Sequence, residues 1–285
     1  MQRLKYYSQL LRLNKPIGTL LLMWPTLIAL WVAGAGAPSL KNIFIFMSGC
    51  LIMRSAGCAI NDFADRKLDP LVSRTKNRPL ATGSIYPVEA VLLFLVLIMV
   101  AFILVWNTNG LTLQCSVLAL ILTFVFPFLN RFSYYPQLVL GAAYACGVPM
   151  AFAAQLNEVP PVLTGLLYVA TLLWALAYDT QYAMVDREDD LKANIKSTAI
   201  WFGQWDRAGV LIAHLMMLSL LICFGYYAQL NALYYISILL ALGLVIYQQK
   251  LIFDRQPSDC FKAFLNNNSI GMVLFLGVLL SYLTV

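Results

Sequence analysis

Charged side chains are scarce in this sequence. They make up 11% of its 285 residues, against roughly 25% in ordinary soluble domains. Hydrophobic residues make up 61%, and mean hydropathy is +0.77. A water-soluble fold of this length cannot hide so much apolar surface, so the solvent for most of the chain is lipid. Histidine is almost missing. His214, inside an apolar run, is the one present, which excludes a multi-histidine zinc site and bis-histidine haem and leaves a packing role. None of the six cysteines (Cys50, Cys58, Cys115, Cys146, Cys223, Cys260) forms a CxxC pair, and they read as small buried thiols. There is no low-complexity tract and no polar stretch long enough for a soluble domain. The net charge of +6 would suggest nucleic acid in a soluble protein. Here the bias of Lys and Arg towards cytoplasmic loops explains it, so the expected surroundings are membrane lipid and not nucleic acid.

What the sequence does contain is long apolar runs. Nine can cross a bilayer, which takes about 20 residues each: 17–37, 42–60, 86–106, 110–129, 135–155, 160–180, 208–228, 231–251 and 264–284. The first is too long for the apolar region of a signal peptide and reads as a retained span. The runs are continuously apolar instead of alternating, which argues against a β-barrel. Pro25, Pro127 and Pro149 fall inside runs, where neighbouring helices can satisfy the freed carbonyls. The fold class is therefore all-α: a polytopic bundle of about nine transmembrane helices in a single domain. The layout predicts two four-helix halves, roughly 17–129 and 135–251, plus a ninth helix.

Charge is sorted by loop. The N-terminal segment and the connections after runs 2, 4, 6 and 8 carry 17 of the 19 basic residues, Arg131 among them. Lys41 falls on the other side and Arg54 inside a run. This places the N-terminus and the charged loops in the cytoplasm.

Two of those connections are acidic. The first reads Asn61-Asp62-Phe63-Ala64-Asp65-Arg66-Lys67-Leu68-Asp69. Asn61, Asp65 and Asp69 recur every four residues and share one face of a helix continuing from the second run. Pro70 biases Asp69 away from helical geometry. The second runs from Tyr178 to Asp190 and brings Asp179, Asp186 and Asp190 to one face. Crowded carboxylates repel one another unless cations are present. Carboxylate and amide oxygens suit magnesium, which keeps some waters and shares substrate phosphates. The metal candidates are Asn61, Asp62, Asp65, Asp69, Asp186 and Asp190, with Asp65, Asp186 and Asp190 closest to the chemistry. Arg74, Lys76 and Arg78 after the first cluster, and Lys192 and Lys196 after the second, are placed to take the remaining phosphate charge. Alternatively, such basic residues bind anionic lipid headgroups.

Arg54 lies seven residues before Asn61, about 10 Å deeper along a helix. Positions 54, 58, 61 and 65 share a stripe, so Arg54 looks into the cavity that holds the cluster. An arginine at membrane depth is costly without a partner, and a carboxylated substrate would supply one. The ring of Tyr178 is a candidate to face a carbocation.

These residues resemble those of the UbiA-type intramembrane prenyltransferases, whose two aspartate-rich motifs, NDxxDxxxD and DxxxD, stand here as Asn61–Asp69 and Asp186–Asp190. Asn14-Lys15-Pro16-Ile17-Gly18, Leu22-Met23-Trp24-Pro25-Thr26, Asn77-Arg78-Pro79-Leu80 and Lys196-Ser197-Thr198-Ala199 extend the likeness over nearly the whole chain, towards the branch that prenylates 4-hydroxybenzoate. The resemblance implies a nine-span bundle with a central cavity in a bacterial inner membrane. It also implies Mg2+, a polyprenyl diphosphate donor and 4-hydroxybenzoate as acceptor, in ubiquinone biosynthesis. By motif position, Asn61, Asp65, Asp186 and Asp190 would bind magnesium–diphosphate, Arg74 and Arg78 the diphosphate, and Arg54 the acceptor carboxylate. Two other readings stand beside it. One is a prenyltransferase of the same superfamily acting on a naphthoate or haem. The other is a membrane transporter, which the near absence of charge from the outer half of the runs opposes.

Overall fold

The computed structural model describes residues 2–129 and 133–284; Arg131, counted above among the basic loop residues, lies outside them. Every regular element described is helical. A short surface helix, α1 (Gln2–Leu10), precedes α2 (Ile17–Ala33), α3 (Leu40–Asp65), α4 (Pro87–Trp106) and α5 (Gly110–Leu129). Then come α6 (Pro136–Ala145), α7 (Gly147–Leu156), α8 (Pro161–Lys192), the short α9 (Thr198–Phe202), α10 (Asp206–Tyr227), α11 (Ala232–Leu251) and α12 (Pro257–Leu283).

The apolar runs account for this order. Among the described residues eight stretches are long and apolar enough to cross a membrane, and α2 is a shorter apolar helix of 17 residues. The run at 135–155 is interrupted at Cys146. Pro149 has no N–H to give the carbonyl of Ala145, where α6 ends, but fits the first turn of α7, whose N–H groups need no helical partner.

Two helices overrun the lipid. At 32 residues, α8 is ~48 Å long against a hydrocarbon core of ~30 Å. The segment after Tyr178 contains neither Gly nor Pro before Lys192, so nothing stops the helix. The second acidic cluster, expected in a loop, therefore lies in about the last four turns of α8. The first occupies the last turn of α3, which ends at Asp65. Asp69 leaves the helix, as Pro70 requires, and begins a 3-10 turn, Asp69–Leu71.

The main core gathers Leu21, Leu30, Phe46, Phe152, Leu167, Trp174, Met217, Phe224, Tyr234 and Ile270 from seven helices. By contrast, α4 and α5 turn large apolar side chains outward, among them Leu92, Val96, Met99, Ile103, Leu118 and Ile121. An unbroken apolar exterior of this kind is what a lipid-facing helix requires.

Amide side chains tie the second half together. Asn267 on α12 accepts from Trp174 Nε1 at 2.9 Å and donates to Gln181 Oε1 at 2.8 Å, both on α8. Gln181 donates in turn to Gln248 of α11 at 2.8 Å, and His214 Nε2 lies 3.3 Å from Asn267 Oδ1. His214 does pack in the interior, fully buried, but as part of this polar network. Next along, Asn268 accepts from Trp24 Nε1 of α2 at 2.9 Å. The run Asn266-Asn267-Asn268 sits inside a hydrophobic stretch, and only the packed bundle shows its purpose.

Candidate active site

The ends of α3 and α8 and the loop between α3 and α4 enclose a small polar pocket of about 180 Å3. Asn61 and Asp65 line it from α3, Asp179, Tyr182, Asp186 and Asp190 from α8, and Asp69, Arg74, Thr75 and Arg78 from the loop. Next to it is a larger cavity of about 1240 Å3. The two share Asn61, Arg74, Arg78, Phe126, Asp179 and Tyr182 as walls, so a polar pocket and a larger, mostly apolar cavity lie side by side.

Arginines hold the carboxylates of the polar pocket. Arg74 Nε donates to both oxygens of Asp186 at 2.9 Å. Its Nη1 donates to the Tyr182 hydroxyl, and its guanidinium lies over the Tyr182 ring, 4.4 Å from the centroid. Arg78 Nη1 reaches Asp69 at 3.0 and 3.2 Å and Asp62 at 3.0 Å. Burial alone would weaken the charge of Arg78, but Asp62 and Asp69 outweigh it and raise its pKa. Burial pushes the Asp69 carboxyl upward against the pull of Arg78.

Asp62 does not line this pocket but is part of the wall of the larger cavity. It is 1% exposed, and Arg12 Nη2 holds its two oxygens at 2.8 and 2.9 Å. The sequence reading had Asp62 as a metal ligand. One residue after Asn61 the helix has rotated by about 100°, which carries the side chain to the face packed on the N-terminal segment. Lys192 is the other departure: it is exposed at the end of α8 and lines neither space. Lys196, four residues later, is in the polar pocket. Asp189 accepts from Ser73 N at 2.8 Å and stays out of the pocket, whereas Asp190 is in it.

Arg54 lines the large cavity. Its guanidinium crosses directly over Gly18 of α2: a Cβ built there would meet Nε at 2.1 Å and Cζ at 2.8 Å. Among the described residues no carboxylate lies within ion-pairing reach of it. Tyr178 is 3% exposed and also faces the large cavity, stacked edge-on against Trp174 and Phe264.

Arg12 and Gly18 escaped the sequence reading as site residues. Arg12 was legible only as tail charge, and glycine carries no chemical signal. Asp179 was placed on the acidic face without a role, yet it is a wall of both spaces.

The oxygen donors Asn61, Asp65, Asp69, Asp186 and Asp190 suit a hard divalent cation. Among the described residues no three His, Cys, Asp or Glu converge as a ready metal cage, and Arg74 and Arg78 are paired with Asp186 and Asp69. Magnesium characteristically completes its shell with water and substrate phosphate, so an open donor set of this kind fits it.

Fold and site together define an integral membrane protein of the helical-bundle class, with a carboxylate–arginine pocket beside a mostly apolar cavity. Residues 22–276 match the UbiA prenyltransferase family, and the chain belongs to that family. It is 54% identical over 281 residues to a 4-hydroxybenzoate octaprenyltransferase of Hahella chejuensis, covering 99% of this chain and 93% of the relative. It is 53% identical over 275 residues to one of Tolumonas auensis, covering 96% of each. Among solved structures, a UbiA homolog from Aeropyrum pernix superposes with a TM-score of 0.80 at 23% identity, over 91% of this chain and 97% of that one. A UbiA homolog from Archaeoglobus fulgidus bound to GPP and Mg2+ gives 0.76 at 19% identity, over 98% and 100%. At these identities the structural matches speak for the fold.

Proposed function

We propose that this chain transfers a polyprenyl group from polyprenyl diphosphate to the ring carbon ortho to the hydroxyl of 4-hydroxybenzoate, releasing diphosphate, in ubiquinone biosynthesis. One observation carries this reading. A polar pocket of carboxylates and arginines adjoins a larger cavity, and deeper along α3 that cavity is lined by Arg54, which forms no ion pair with a carboxylate among the described residues. The first fits a metal-bound diphosphate and the second a carboxylated acceptor. The names of the curated relatives support the same substrate pair.

In this reading Asn61, Asp65, Asp186 and Asp190 hold Mg2+. When bound, the metal supplies positive charge that eases departure of the diphosphate from the allylic carbon. Arg74 exchanges the carboxylate of Asp186 for phosphate oxygens, a match that guanidinium geometry favours, and Arg78 offers phosphate the guanidinium nitrogens that do not hold Asp62 and Asp69. Arg78 keeps Asp62 and Asp69 as its scaffold, so Asp62 acts as a positioning residue. Arg54 holds the acceptor carboxylate and points the phenol towards the polar pocket. The allylic C1–O bond breaks with its electron pair leaving on the diphosphate, the ring carbon ortho to the hydroxyl bonds to C1, and the proton on that carbon leaves with the diphosphate while the base returns the phenol proton to the ring oxygen. The rings of Tyr178 and Tyr182 face the allylic cation. Asp179 and Asp190 are the two candidate bases for the phenol, and Asp179, which lines both the polar pocket and the cavity that holds Arg54, is the better placed. The apolar cavity between α3, α4 and α5 takes the prenyl chain and excludes water, which would otherwise quench the cation.

The layout of two four-helix halves belongs to the same proposal, because α3 and α8, the second spanning helix of each half, both end in the polar pocket. So does the setting: the bacterial inner membrane, with the charged end in the cytoplasm.

The test is product formation by the purified chain from radiolabelled polyprenyl diphosphate and 4-hydroxybenzoate. Product mass should equal acceptor plus prenyl, and EDTA should abolish it, with magnesium restoring it. No product with magnesium present, or undiminished product in EDTA, would overturn the reading.

A further inference from the structure

We infer that Ser197 is an additional diphosphate-binding residue, reaching the polar pocket from the turn after α8. The inference rests on the function proposed above and adds a residue to its diphosphate site. Ser197 lines the pocket together with Asp186, Asp190 and Lys196. It is 4% exposed, and among the described residues its Oγ has no hydrogen-bond partner.

The neighbouring polar groups make that unusual. Ser197 occupies the position before α9 where a serine oxygen ordinarily accepts from the first turn, yet it makes no such bond. The N–H of Thr198 donates instead to Gln137 Oε1 at 3.1 Å. The Thr198 hydroxyl is paired with Thr180 at 2.6 Å. Ile195 N–H donates to the Asp190 carbonyl at 2.9 Å and fixes the turn. Buried hydroxyls are nearly always bonded, and an unbonded one in a functional pocket marks a place for a ligand. The chemistry selects which ligand. A hydroxyl can donate to phosphate oxygen, Lys196 lies beside it, and the cations Arg74 and Arg78 line the same pocket from a separate loop. A diphosphate there would be gripped from two loops at once.

Since Oγ has no internal partner, removing it strands nothing in the fold. Ser197→Ala should leave the unfolding temperature of the ligand-free chain in detergent unchanged. Thr198→Val should lower it, because the buried hydroxyl–hydroxyl bond to Thr180 is lost, although Thr180 still donates to the Leu176 carbonyl. With magnesium present, inorganic pyrophosphate is the probe, read both as thermal stabilisation of the full chain and as competitive inhibition of transfer. Ser197→Ala should weaken pyrophosphate about tenfold, the scale of one hydrogen bond to a charged group, while KM for 4-hydroxybenzoate stays put. Unchanged pyrophosphate affinity overturns the inference. A drop in the ligand-free unfolding temperature of Ser197→Ala overturns it as well, since the hydroxyl would then be structural. If the unaltered chain shows no response to magnesium pyrophosphate, the failure belongs to the proposed function itself.

Discussion

Arg12 grips Asp62 through both carboxylate oxygens, at 2.8 and 2.9 Å across 50 residues of sequence. The same guanidinium donates to the Gln9 carbonyl at 2.6 Å and so closes α1. Arg12 has a positive φ of 55°, a conformation that a non-glycine residue adopts at some strain. Leu10 is fully buried against α3 and α4 nearby. A short surface helix is thereby bolted to the carboxylate that steadies Arg78. Arg12→Ala should lower stability by about 1–3 kcal/mol, because Asp62 stays buried with Arg78 alone. It should also raise KM for polyprenyl diphosphate more than KM for 4-hydroxybenzoate. Thermal unfolding in detergent and steady-state kinetics check the two parts.

Gly18 makes room for Arg54, and its replacement should act on the acceptor alone. Gly18→Ala puts a methyl where the Arg54 guanidinium now lies, so the arginine must move. KM for 4-hydroxybenzoate should rise about tenfold or more, with the diphosphate KM within about twofold, matching the pattern expected of Arg54→Ala. Equal changes in both constants would separate Arg54 from the acceptor.

Arg74 bridges Asp186 and Tyr182, and its loss should be felt in the donor. Arg74→Ala should cut kcat/KM for polyprenyl diphosphate by about 100-fold, the scale of one buried charged contact. Arg74→Lys should recover only part of this, since an ammonium cannot reproduce the bidentate fork. Full activity in the lysine variant would show that charge alone suffices.

Asp179→Asn removes the proposed base with little change in volume. A carboxylate base must be ionised to act, so in the unaltered enzyme kcat falls as pH drops through its pKa. The asparagine variant should lower kcat by about 100-fold and flatten that acidic limb, with both KM values nearly kept. A normal acidic limb in the variant would return the role to Asp190.

Asn267→Leu tests the amide network. It leaves Trp174 Nε1, Gln181 Oε1 and His214 buried without the partner they share. At about 1–3 kcal/mol for each stranded group, the variant should unfold at a markedly lower temperature and yield little folded protein. A mild effect would mean that water enters the seam.

The sequence by itself determined the solvent, the helical class and most of the spans, because 20-residue apolar runs have few other outcomes in lipid. It also placed the paired carboxylates, since helical spacing puts Asn61 with Asp65, and Asp186 with Asp190, and it placed Arg54 on the stripe beneath them. Other features depend on which helix lies against which. Asp62 turns to Arg12, Arg54 passes over Gly18, Asn267 closes a ring of side chains from α8 and α10, and Ser197 is left without a partner. Each of these is a contact between residues far apart in the chain, or the lack of one, and helical periodicity carries no information about the neighbour across an interface. Lys192 and Lys196 are alike as charges in a sequence. Only the end of α8 and the turn after it decide that the second enters the pocket and the first stays outside.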